Sequence, residues 1–240
     1  MPLKRILTLN ILGLLILASW WQTALPIWPT LNEWVFFSFN HTITEQHPLW
    51  VTVLGALNTR IYDVTTFLLM LLVLVFAMRE DPRPARTWHW FSIGFVMLAS
   101  AGIIALINND LPYAHESPSL YFHDMGEHVN YVSQLVSFKA KDSAGDSFPG
   151  DHGMMLLVFT AFVMRYAPRK WTPVAVIMAF CFSMPRIMAG AHWFEDVYMA
   201  SLAIGLIYLP WILMTPLSDL AIKGVERLLR ITRLPGTQRL

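Results

Sequence analysis

The sequence predicts an all-α polytopic membrane protein, a six-helix transmembrane bundle with short interfacial helices. Three observations predict it. Of 240 residues, 55% are hydrophobic and only 14% charged, with a mean hydropathy of +0.49, outside the balance of soluble domains. Apolar runs that reach or approach the ~20 helical residues of a bilayer crossing recur along the chain. Threaded in alternation, those runs leave 13 of the 17 Lys and Arg residues on one side, the asymmetry that marks cytoplasmic loops.

The first run follows Lys4-Arg5 and reads "ILTLNILGLLILASWW". No small-x-small cleavage site follows, and "SWWQTALPIWP" resembles an interfacial aromatic belt, so the run is read as a retained span. In the next stretch, from Trp28 to Leu57, "WVFFSF" and "LWVTVLGAL" are too short to cross and predict interfacial or re-entrant helices. Further spans are expected near 62–78, 88–107, 152–167, 171–188 and 197–215, with "REDPRPAR" and "PRK" separating two adjacent pairs. Both termini then fall in the cytoplasm. A transmembrane domain over 1–217 is followed by a basic tail over 218–240, whose apolar residues recur at helical intervals, as in an amphipathic helix on an anionic leaflet.

Several function classes drop out. A net charge of +1 offers no basic field for nucleic acid. The lone Cys181 excludes a disulfide within one chain. Glycines are scattered, with no nucleotide-type phosphate loop. "HDMGEH" offers His123, Asp124, Glu127 and His128 at metal-compatible spacing, but a solvated helix explains it, and no metal and no cofactor are expected. The sequence identifies no partner protein; membrane lipids are the expected surroundings.

Four basic residues fall on the other side: Arg60, Lys139, Lys141 and Arg186. Near them lie "KDSAGDSFPGDHG", before the fourth span, and "PRIMAGAHWFED", after the fifth. Between His152 and Arg186 the chain crosses and returns, because about 16 residues at ~1.5 Å each give roughly 24 Å per crossing. His152, Arg186 and His192 are therefore expected on one side and close together. His192 and Asp196, four apart, would share a helix face, with the carboxylate fixing the ring tautomer of a nucleophilic histidine. Pro149-Gly150 opens a helix whose free N–H groups favour an anion, and His152 in its first turn could act as general acid. Lys141 and Arg186 supply cations for a phosphate. A carboxylate beside such a site is repulsive, so Asp151 is expected to turn away toward Lys141 or a backbone donor. A transporter's proton relay would instead place ionisable groups at mid-membrane depth, whereas these sit at helix ends.

"SFPGDH" and "PRIMAGAHWFED" resemble the second and third signatures of the type 2 phosphatidic acid phosphatase (PAP2) superfamily, P-S-G-H and S-R-x5-H-x3-D. Arg186, His192 and Asp196 match the third spacing in full. The departures are Pro185 for the serine, Gly150-Asp151 for Ser-Gly, and a first signature, K-x6-R-P, that is not intact. Arg83-Pro84 lies on the cytoplasmic side with Phe76 where the lysine belongs. The resemblance implies a helical fold shared with vanadium haloperoxidases, no metal, and a phosphohistidine intermediate. It makes His192 the nucleophile, Asp196 its orienter, His152 the general acid and Arg186 a phosphate ligand. Lys141, with Lys139 in reserve, takes the missing lysine's role, and Ser147 and Gly150 join the substrate-binding positions.

Together with "GAHWF", "TPLSD" and Arg60 in "NTRIYD", the variant "SFPGDHGMML" is more similar to the bacterial inner-membrane lipid A phosphotransferase subgroup. That similarity implies undecaprenyl diphosphate as phosphate donor, the 1-phosphate of lipid A as acceptor, a site facing the periplasm, and Arg60 as a phosphate contact. A phosphatase acting on undecaprenyl diphosphate or a phospholipid would use the same residues, with water as acceptor.

Overall fold

A computed structural model describes residues 2–21, 26–109 and 115–232, and within them helices alone form the architecture. They are α1 (Pro2–Trp21), α2 (Ile27–Asn40), α3 (Pro48–Ala56), α4 (Arg60–Arg79), α5 (Arg86–Asn109), α6 (Pro118–Asp124), α7 (Val132–Leu135), α8 (Asp151–Tyr166), α9 (Trp171–Met188), α10 (Ala200–Leu213) and α11 (Leu217–Ile231). A π-helical turn, Glu195–Met199, leads into α10. The short α2 and α3 occupy the stretch expected to hold interfacial helices. The end of the basic tail, with Arg233 and Arg239, lies outside the described residues.

Five segments are long and apolar enough to cross a membrane: α1, α4, α5, α9, and the π turn continued by α10. The chain is thus a multi-pass membrane protein. The remaining expected span, the fourth, is α8; it has 16 residues, short of a full crossing by length. Its position gives the reason. It packs against α5, α9, α10 and the π turn, and Val158, Phe159 and Val163 on it are fully buried. A helix wrapped by protein satisfies its surroundings without matching the hydrocarbon thickness.

Inside a bilayer, helices gain little from leaving lipid for one another, so tight association depends on small residues that let backbones approach. The α8–α10 contact works this way. A Cβ at Gly153 would stand 2.6 Å from the Val197 carbonyl oxygen and 2.7 Å from Ser201 Oγ. Gly13 plays the same part between α1 and α10, where a Cβ would meet the Ala203 carbonyl oxygen at 2.7 Å.

Polar ties gather the opposite ends of the helices. At one end Lys170 pairs with Glu80 at 3.0 Å, Arg165 with Asp219 at 3.2 Å and His89 with Glu226 at 2.6 Å. The amphipathic α11 is held there against α5 and α10, with Ser218 and Ile222 buried. At the other end stand the residues singled out for chemistry. Trp20, closing α1, stacks on Phe148 just before α8, with ring centroids 4.8 Å apart.

Replacing Gly153 with Ala forces α8 from the π turn. The expected result is a loss of roughly 1–3 kcal/mol, read as a lowered midpoint of thermal unfolding in detergent, with activity reduced as well. An unchanged midpoint would show that this contact does not set the packing.

Candidate active site

Arg186 lies in the last turn of α9 and is only 2% exposed. A guanidinium so buried requires a counter-charge, and Asp63, in the first turn of α4, supplies it: Arg186 Nη2 donates to Asp63 Oδ1 at 2.6 Å. The same oxygen lies 2.9 Å from His152 Nε2. Arg186 Nη1 reaches the backbone and side-chain oxygens of Asn58 at 3.5 Å each, and Asn58 Nδ2 donates to the Pro185 carbonyl at 2.9 Å. One donor remains: Arg186 Nε is buried with no hydrogen-bond partner. A buried orphan donor calls for an acceptor.

These groups open on a cavity of about 970 Å³, whose lining includes Arg60, Asp63, Lys139, Lys141, His152 and Arg186. The structure therefore brings together all four outlying cations and the expected acid histidine. The Lys141 N–H donates to the Asn58 carbonyl at 2.9 Å, anchoring the segment that carries both lysines.

His192 is 6% exposed and lies in the short loop before the π turn. Its Nδ1 is 2.9 Å from the Ser147 carbonyl oxygen. A carbonyl can only accept, so Nδ1 carries the hydrogen and the lone pair is on Nε2. Burial, the largest influence, together with the charge of Lys141, pushes this ring from the ordinary 6.5 down to about 4. It is neutral at physiological pH, the state a nucleophile needs.

This differs from the sequence expectation for Asp196. The helix starts only after Trp193, so His192 and Asp196 do not share a helix face and the i, i+4 rule does not apply. Asp196 Oδ2 instead accepts the Trp193 N–H at 2.9 Å, as a capping carboxylate reaches back to the residue just before its helix. Its Oδ1 meets His115 Nδ1 at 3.3 Å. Burial opposes charge on the His115 ring, but the bonded Asp196 and nearby Glu195 and Asp146 prevail and raise its pKa. Asp196 thus acts on His192 through field and backbone.

Three further expectations meet different geometry. Ser147 is buried, and its Oγ and N–H both donate to the His115 carbonyl, at 2.8 and 2.6 Å. Its hydroxyl is engaged there, and its carbonyl serves His192. The Gly150 N–H donates to the Asp196 carbonyl at 3.0 Å, so it is occupied by the π turn. Asp151 bonds neither Lys141 nor a backbone donor; it stands exposed where α8 meets α4, beside a 250 Å³ groove shared with Asp63 and His152. Arg60 forms no ion pair with Asp63, whose carboxylate is held by Arg186 and His152.

Among the described residues, the group able to offer three ligand atoms to a metal is His115, Glu195 and Asp196, within 4.8 Å of one another. The cap and the histidine contact already use both Asp196 oxygens, which fits an ion-paired imidazole. His123, Asp124, Glu127 and His128 are exposed and form no such group.

The PAP2 superfamily profile matches residues 90–217, just over half of the chain. The chain belongs to the PAP2 superfamily. Across 98% of its length it is also 39% identical to lipid A 1-diphosphate synthase of Escherichia coli (strain K12), covering 95% of that protein. No solved structure matches the chain. Membership makes the protein an enzyme of PAP2 phosphatase and phosphotransferase type.

Two residues of this PAP2 site escaped the sequence reading. For Asp63 the available signal was a carboxylate at the start of a membrane span. His115 gave no signal, because its tie to Asp196 joins residues 81 apart in the chain.

Two outcomes follow. Histidine-labelled protein followed by NMR should show the His192 ring neutral at pH 5 and titrating near 4. Between 6.5 and 4 the unfolded chain takes this proton first, so the fold loses the corresponding stability as pH falls; titration near 6.5 would contradict the buried site. Asp63→Asn frees both Arg186 and His152 from their common anchor, and turnover should fall roughly 10- to 100-fold, the scale of ångström misplacement, measured as donor consumption in detergent.

Proposed function

We propose that the protein transfers the terminal phosphate of undecaprenyl diphosphate to the 1-phosphate of lipid A through a phosphohistidine on His192. The carrying observation is the His192 Nδ1–H bond to the Ser147 carbonyl, which leaves Nε2 as a neutral nucleophile. Similarity to lipid A 1-diphosphate synthase over nearly the whole of both chains supports the acceptor.

In the first half-reaction Nε2 of His192 attacks the terminal phosphorus, and the bond to undecaprenyl phosphate breaks. Lys141 and the orphaned Nε of Arg186 take the charge spread over the equatorial oxygens. His152 protonates the leaving group, held by Asp63 much as a carboxylate orients the histidine of a triad. In the second half-reaction the acceptor oxygen attacks phosphorus, and His192 leaves as a neutral ring. The basic loops at the opposite end of the bundle support a bacterial inner membrane location, with both termini cytoplasmic and the site facing the periplasm.

The test uses donor labelled in its terminal phosphate. Label should appear on lipid A, and an acid-labile phosphoprotein should accumulate when lipid A is withheld. Release only as free phosphate, with lipid A present, would instead establish a phosphatase. His192→Ala should abolish both signals, a loss of roughly 10³-fold or more, and His152→Ala should slow turnover by roughly 10²- to 10⁴-fold.

A further inference from the structure

More cations line the cavity than one phosphoryl group engages. Arg186 is neutralised by Asp63, and Asp142, the other carboxylate lining it, accepts the Ser133 N–H at 2.7 Å while 5% exposed. The charged ends of Arg60, Lys139 and Lys141 form no ion pair or hydrogen bond among the described residues. Lys141, whose charge acts on His192, already serves the donor's phosphate in the reading above. Arg60 and Lys139 are left over. They are exposed, on two different segments, the start of α4 and the segment before α8. The volume, about 970 Å³, is at the upper end of small-ligand cavities of roughly 300–1,000 Å³, far more than a phosphate fills. Exposed Ile61 and Phe138, the sequence neighbours of these two cations, also line the cavity.

We infer that Arg60 and Lys139 form a second anion subsite that holds the phosphomonoester of an amphiphilic acceptor, and that this subsite decides between transfer and hydrolysis. The inference rests on the phosphotransferase reading above. Its physical basis is charge. Water reaches a phosphohistidine as a neutral molecule, but a phosphomonoester arrives as an anion against an anion, and each repels the other in a partly dry site. Two cations beyond those serving the donor remove that repulsion and orient the attacking oxygen. The apolar pair Ile61 and Phe138 suits an acceptor that carries acyl chains.

The transfer step balances without a further reactant. An oxygen of the acceptor phosphate forms a bond to phosphorus, the bond from phosphorus to His192 Nε2 breaks, and its electron pair returns to that nitrogen. If the acceptor arrives as a monoanion, its remaining proton passes to His152; a dianion has none to lose. Water must always surrender a proton, so binding charge favours the phosphate and a general base favours water.

Lys139→Gln separates the roles, using purified full-length protein in detergent, terminally labelled undecaprenyl diphosphate as donor and lipid A 1-phosphate as acceptor. Formation of phosphoenzyme without acceptor and the KM for acceptor with it are both measured. The acceptor KM should rise about tenfold, and at least five times more than phosphoenzyme formation slows, with label shifting from lipid A to free phosphate. Arg60→Gln should raise the same KM, the double variant should raise it further, and Lys139→Arg should restore it. Equal effects on the two half-reactions, or an acceptor KM within twofold of the parent, would overturn the subsite. Absence of transfer in the parent protein would overturn the phosphotransferase reading itself and the subsite with it.

Discussion

A guanidinium almost wholly removed from water organises this molecule. Arg186 sits at the end of a membrane helix at 2% exposure, where an unpaired charge would be prohibitive. Its needs draw in Asp63 from α4 and Asn58 from the turn before it, and Asp63 in turn holds His152 on α8. α4 and the consecutive pair α8 and α9 are thereby fixed together at one end of the bundle. The site follows from that neutralisation: the same contacts that make Arg186 tolerable place a cation, an orphan donor and a histidine beside one cavity.

A second chain of bonds fixes the other histidine. Ser147 is tied to the His115 backbone, and its carbonyl sets the His192 tautomer, while His115 and Trp193 hold Asp196. The Asp196 carbonyl reaches the Gly150 N–H, so the start of α8 and the π turn are joined by backbone as well as by the close approach at Gly153. A π turn at this position accords with the tendency of such turns to occur at functional sites. Lys141, in the cavity lining, links the two arms, because its charge acts on His192 behind that lining.

Much of this was legible in the sequence. The apolar runs announced the long helices, and the scarcity of basic residues on one side singled out Arg60, Lys139, Lys141 and Arg186, which do line one cavity. What stayed hidden was of two physical kinds. Helix boundaries shift by a residue or two, and a start just after Trp193 was enough to turn a shared-face pair into a cap. Partners chosen by tertiary packing leave no local pattern: His115 finds Asp196, and Asp63 serves Arg186 in place of its neighbour Arg60. The length of α8 belongs to the same kind, because it answers to its enclosing helices.

The partner that orients His192 is a main-chain oxygen. Every amino acid carries that atom, so the ring's alignment does not depend on which side chain evolution places at residue 147, provided the loop keeps its course. A carbonyl also takes up no proton across the physiological range, which frees the tautomer from the acidity of the surroundings. The heritable weak point of this alignment therefore lies in the path of the backbone, with the turn at Pro149 and the anchor at His115 carrying the burden that an orienting carboxylate would otherwise bear.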